Sequence, residues 1–120
     1  TVIVKASPDE FDDPSVVKVA VAFKKDDPKI DDVGRALYFS RARIPTGSEN
    51  IWHHIGIYAW RRSILEKFVK LKQTEREKEE KLEQLRAIEN NMHIEVSLIN
   101  SPILGIDTQE DLENIRDNLK

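Results

Sequence analysis

The chain has 120 residues, 39% hydrophobic and 34% charged, with 19 Lys+Arg against 22 Asp+Glu and no cysteine. That size supports one domain with a real core, and the apolar share argues against disorder. The lack of cysteine excludes disulfides, thiolate metal sites and cysteine nucleophiles, and the net charge of -3 offers no footprint for a nucleic-acid partner. No apolar run approaches the roughly 20 residues of a membrane span, and no basic-then-apolar leader opens the chain, so a cytoplasmic setting is expected.

In chain order, residues 2–6 read as a short β-branched strand and the acidic stretch Pro8 to Pro14 as a loop or turn. Val16 to Phe23 is valine-rich, the composition of a buried strand. The charged, Pro28-containing stretch from Lys24 to Gly34 reads as a hairpin-like connection to a strand at Ala36 to Ser40. Ile44 to Asn50 is a loop, Trp52 to Trp60 a strand, and Arg61 to about Leu71 a helix with Ile64, Leu65, Phe68 and Val69 at helical spacing. Thr74 to Asn90 reads as one helix, charged in its first half and carrying Leu82, Leu85, Ile88 and Met92 in its second. A strand from His93 to Ile99 and a helix from Thr108 to Leu119 follow. Mixed strands and helices with short connections suggest an α/β sheet without an internal boundary.

The four glycines (Gly34, Gly47, Gly56, Gly105) are scattered, so no phosphate-cradling glycine loop can be built from them. In the expected Trp52–Trp60 strand, alternation puts His54, Gly56, Tyr58 and Trp60 on one face and His53 on the other. His54 and Tyr58 could then offer a ring nitrogen and a phenol to one polar ligand across a glycine gap; the alternative is a satisfied histidine on a partly exposed face. Arg41, at a strand end, could pair with a carboxylate or phosphate, or lie free on the surface. Glu77, Glu80 and Gln84 would form a polar ridge suited to a hydroxyl-rich ligand, but a solvated face with ion pairs such as Glu77 with Lys81 explains them as well. Asp107, in Gly105-Ile106-Asp107-Thr108, suits a helix cap or a Mg²⁺ ligand equally.

Five motifs nevertheless occur together and in order: Val16-Val17-Lys18-Val19; Ala36-Leu37-Tyr38-Phe39-Ser40-Arg41 with Ile44-Pro45; His54-Ile55-Gly56-Ile57-Tyr58; Leu82-Glu83-Gln84-Leu85-Arg86; and Gly105-Ile106-Asp107-Thr108 with Glu110-Asp111-Leu112. Across essentially all 120 residues, the chain resembles the C-terminal half of the 3-deoxy-manno-octulosonate cytidylyltransferases, the CMP-Kdo synthetases of lipopolysaccharide synthesis.

The resemblance implies a Rossmann-like α/β nucleotidyltransferase fold with a mixed sheet, active as a homodimer. The missing N-terminal half would carry the CTP-binding loop, and this half the sugar-acid pocket and much of the dimer contact. The implied reaction is CTP plus Kdo giving CMP-Kdo and pyrophosphate with Mg²⁺. By resemblance, Arg41 would contact the anionic sugar and take part in catalysis. His54 and Tyr58 would line the sugar site, Glu80, Glu83 and Gln84 would bind sugar hydroxyls, and Asp107 would be catalytic as a Mg²⁺ ligand. Trp60 stands where the family usually has Tyr, and Gln109 where Pro is common. The chain alone is expected to be inactive. The competing readings are a cytidylyltransferase for another acidic sugar and a non-catalytic dimerisation module.

Overall fold

Five strands rich in β-branched and aromatic residues pair into one closed sheet in the computed structural model, which describes residues 1–100, 106 and 108–118. They are β1 (Val2–Lys5), β2 (Lys18–Ala22), β3 (Val33–Ser40), β4 (Trp52–Ile55) and β5 (Glu95–Leu98). The order around the barrel is β1-β4-β2-β3-β5. β5 returns to β1 in parallel, with Val2 opposite Ser97, and the other pairings are antiparallel. The sheet is therefore mixed and the class α/β, as expected. The Rossmann-like arrangement implied by the resemblance is not displayed by these strands, which close on one another.

The four described α-helices are α1 (Arg62–Phe68), α2 (Glu75–Glu80), α3 (Gln84–Glu89) and α4 (Gln109–Asn118), and none is long and apolar enough to cross a membrane. Ile3, Val19, Ala36, Phe39, Val96 and Leu98 from the strands meet Leu82 and Leu85 from the α2–α3 segment in one core. Each large side chain there contributes roughly 1.5–3 kcal/mol by burial.

The valine run of β2 holds one charged residue that is not exposed. Lys18 is buried, and its Nζ donates to the carbonyls of Asp13 (2.7 Å), Val16 (2.7 Å) and Arg41 (2.5 Å). It ties the acidic loop before β2 to the end of β3. Burial lowers its pKa from the ordinary lysine value, opposed by the Asp13 and Asp12 carboxylates. Gly34 is required by close packing between β2 and β3, because a Cβ there would lie 2.5 Å from Val21 Cγ1.

Two expected elements are shorter than their sequence patterns. The strand begun at Trp52 ends at Ile55, not Trp60, and Ile55 makes its last pairing to β1, opposite Val2. Ile57 N then donates to Ile55 O at 2.7 Å and the chain turns away at Gly56. The expected Thr74–Asn90 helix is two helices. Lys81 adopts a left-handed conformation (φ 56°, ψ 45°), and the N–H groups of Lys81 and Leu82 both donate to Glu77 O. A reversal of this kind is a common helix stop. It separates a charged first half with no apolar side chain to bury from Leu82, which turns into the core.

Candidate functional site

Beyond the end of β4, Tyr58 and Trp60 come to the same pocket as Gln84 at the start of α3. A pocket of about 280 Å³ forms there, lined by Thr1, Tyr58, Ala59, Trp60, Gln84, Ile94 and Glu95. A larger depression of about 580 Å³ lies around the His53–Glu10 pair and Lys5, and none of the expected sugar-site residues lines it.

His54 stands behind the smaller pocket. Its backbone N–H donates to Val17 O (2.8 Å), and its Nε2 lies 3.1 Å from Thr1 Oγ1. The ring meets Phe39 edge-on at 4.9 Å and lies 5.5 Å from the Tyr58 ring. Burial pushes its pKa down to about 4, so the ring is neutral near pH 7. The Tyr58 hydroxyl is buried without a hydrogen-bond partner among the described residues. Burial, with the Glu83 carboxylate as a secondary cause, raises that phenol well above its ordinary value. An orphan hydroxyl beside a pocket can be satisfied by a water or by a polar ligand atom. Gln84, the first residue of α3, is buried and lines the same pocket.

The far wall is a ladder of rings. Tyr58 and Trp60 lie 6.2 Å apart and Trp60 and Phe68 4.9 Å apart, and the Arg86 guanidinium sits 4.9 Å over Phe68. Arg86 is held by Glu77 through Nε to Oε2 (2.8 Å) and Nη2 to Oε1 (2.5 Å), and Glu77 also accepts from Thr74 N at 3.2 Å. The Arg86 hydrogen bonds keep the Glu77 carboxyl below the usual glutamate range.

The structure thus brings His54, Tyr58 and Gln84 together and separates them from other sequence candidates. Glu80 turns to β3 and accepts from Ser40 Oγ (3.0 Å), Tyr38 Oη (3.2 Å) and Arg41 N (3.4 Å). The Arg41 guanidinium donates to Pro14 O at 3.1 Å. Glu83 is exposed and borders a shallow groove with Lys78, Lys81 and Arg86. The ridge expected of Glu77, Glu80 and Gln84 does not form: Glu77 turns to Arg86, Glu80 turns to β3, and the helix break at Lys81 parts Gln84 from both. Asp107 lies outside the described residues.

Sequence reasoning missed Thr1 and the Glu77–Arg86 support. A signal for Glu77 was present: Thr74-Glu75-Arg76-Glu77 has capping-box spacing, which places Glu77 at a helix start.

A family model described as cytidylyltransferase matches residues 6–94. The 3-deoxy-manno-octulosonate cytidylyltransferase of Bartonella quintana is 53% identical over 108 residues, spanning 90% of this chain and 42% of the relative. That of Paramagnetospirillum magneticum is 49% identical over 112 residues, spanning 93% and 44%. A solved structure of CMP:2-keto-3-deoxy-manno-octonic acid synthetase complexed with CTP superposes with a TM-score of 0.85 at 32% identity, over 99% of this chain and 47% of that one. The chain spans under half the length of these relatives.

Proposed function

Because the chain belongs to the cytidylyltransferase family, we propose that it forms the sugar-acid side of an active site that transfers CMP from CTP to Kdo, releasing pyrophosphate. The observation that carries this reading is the unpartnered Tyr58 hydroxyl beside the buried Gln84 in one pocket, with neutral His54 behind it. Phenol, amide and imidazole offer both donors and acceptors to a hydroxyl-rich ligand. The CTP-binding loop comes from sequence outside this chain, in keeping with its scattered glycines and with relatives more than twice its length. The whole domain is then of Rossmann-like nucleotidyltransferase type and works as a cytoplasmic homodimer in lipopolysaccharide synthesis, with this chain contributing to the dimer contact.

In the reaction, a Kdo hydroxyl attacks the α-phosphorus of CTP in line and pyrophosphate leaves. Tyr58, Gln84 and His54 orient the sugar so that this hydroxyl meets the phosphorus, the kind of positioning that lowers the barrier most. Arg41 supplies positive charge toward the anionic substrates, Glu83 adds an acceptor for a sugar hydroxyl, and Glu80 holds the β3 end that carries Arg41. Among the described residues no group of three or more His, Cys, Asp or Glu could hold a metal. The family resemblance makes Asp107, a hard oxygen donor, the residue of this chain that would hold Mg²⁺, together with triphosphate oxygens and groups from outside the chain. When bound, the ion offsets charge developing on the triphosphate.

The test is pyrophosphate release from CTP and Kdo. The full-length protein is expected to turn over, the 120-residue chain alone to give none, and Asp107→Ala in the full-length protein to lose Mg²⁺-dependent turnover while remaining folded. Full-length protein inactive with Kdo but active with another acidic sugar would replace the substrate, and turnover by the chain alone would overturn the division of labour.

A further inference from the structure

We infer that the Thr1 hydroxyl fixes His54 as the neutral tautomer protonated at Nε2, so that Nδ1 is left as a hydrogen-bond acceptor behind the pocket. The inference rests on the sugar-site reading for its effect on substrate binding, but not for its tautomer.

The argument is one of proton counting. A threonine hydroxyl has one proton. Thr1 Oγ1 lies 3.0 Å from Ile55 O, an atom that can only accept, and 3.1 Å from His54 Nε2. If Thr1 donated to the ring instead, two oxygens would face each other at 3.0 Å with no proton between them. The arrangement that satisfies both contacts has Thr1 donating to Ile55 O and accepting from Nε2–H. A neutral imidazole protonated at Nε2 carries a lone pair on Nδ1. Among the described residues, Nδ1 makes no hydrogen bond.

The backbone holds this relay in register. Thr1 N donates to Glu95 O (2.9 Å), and Ser97 N donates to Thr1 O (3.0 Å), so β5 clamps Thr1 on both sides. His54 is fixed by its pairing with Ile3, by Val17 O and by the Phe39 ring. Thr1 also lines the pocket with Tyr58 and Gln84. His54 stands behind that pocket rather than in its lining and reaches the site through the Tyr58 ring 5.5 Å away, so its tautomer and orientation set the backing against which Tyr58 stands. Thr1 acts through His54 and is a positioning residue.

The experiment is ¹⁵N NMR of histidine side chains in the labelled full-length protein at pH 7, with Thr1→Val and Thr1→Ser variants and kinetics on CTP and Kdo. The expected wild-type spectrum shows a protonated Nε2 and an unprotonated Nδ1 at His54. Thr1→Val is expected to lose that preference and raise the KM for Kdo about tenfold with kcat little changed, the order of one lost hydrogen bond. Thr1→Ser is expected to restore both. A wild-type ring protonated at Nδ1 overturns the inference, and so does a Thr1→Val variant with unaltered tautomer and KM. The wild-type spectrum decides the tautomer even if Thr1→Val does not fold. Because it needs no substrate, it also separates this inference from the functional reading, which fails if the wild type does not use Kdo.

Discussion

The pair that supports the pocket wall gives the sharpest test of how the fold holds its site. Glu77→Gln keeps the side-chain shape and removes the charge facing Arg86. Two hydrogen bonds from the guanidinium lose their charged acceptor, and the cation is left with little solvent, since the side chains of Arg86 and Glu77 are 15% and 5% exposed. Breaking a buried pair from one side costs about 3–5 kcal/mol. This pair lies just beneath the surface beside the shallow groove at Lys78 and Lys81, so partial screening argues for the lower end, about 3 kcal/mol. With a urea dependence of about 2 kcal/mol per molar, the unfolding midpoint should fall by about 1.5 M, read by circular dichroism on variant and wild type of the same length. Glu77→Gln with Arg86→Met should recover part of the loss, because the unpaired cation goes with its partner. Below the ordinary glutamate range the wild type should lose the same increment: a carboxyl with a lowered folded pKa stabilises fully above its unfolded value, and that stability disappears as pH falls through the folded one. A midpoint shift below about 0.5 M, or about 1 kcal/mol, would class the pair with ordinary surface ion pairs and refute the reasoning.

His54 should remain neutral through the range where an exposed histidine titrates. Its folded pKa of about 4 lies below the ordinary 6.5, so the unfolded chain takes up the proton first. The stability linked to the neutral ring is complete above about pH 6.5 and declines as pH falls from there toward 4. An NMR titration of the ring proton with a midpoint near 6.5 would contradict its burial. Gly34→Ala should cost about 1–3 kcal/mol by overpacking, because the new methyl would meet Val21 Cγ1 at 2.5 Å and Ala22 O at 3.0 Å. Unchanged thermal stability in that variant would mean that β2 and β3 part more readily than their packing implies.

The strands were legible because their local composition and their tertiary environment agree. The valines of β2 and the aromatic run of β3 supply Val19 and Phe39 to the core, and the charged segment between them joins an antiparallel pair. Where tertiary partners decide, pattern misled. Nothing in Trp52–Trp60 announces that β4 stops at Ile55, where a turn at Gly56, closed by Ile57 N donating to Ile55 O, takes Tyr58 out of the sheet. Helical spacing likewise joined Glu77, Glu80 and Gln84 across a left-handed turn at Lys81 that the lysine itself does not signal. Strand alternation and helical spacing singled out His54, Tyr58 and Gln84 and the family resemblance assigned them to a sugar site, while Thr1 was invisible because a β-branched residue just before a strand needs no further explanation.

These two departures from pattern are connected through the pocket. Had β4 continued to Trp60, strand alternation would have kept His54, Tyr58 and Trp60 on a flat face, with no concavity to hold a ligand. Had the helix continued through Lys81, Gln84 would not have been turned inward at the start of a new helix beside Tyr58. The early end of the strand supplies the aromatic wall, and the helix break supplies the amide across from it. The Glu77–Arg86 pair spans the break, joining α2 to α3, while Arg86 stacks on Phe68, which in turn packs on Trp60. Loosening that pair should therefore disturb the pocket as well as the fold. A weaker Kdo affinity in Glu77→Gln, measured where the variant is still fully folded, is the signature expected of that coupling.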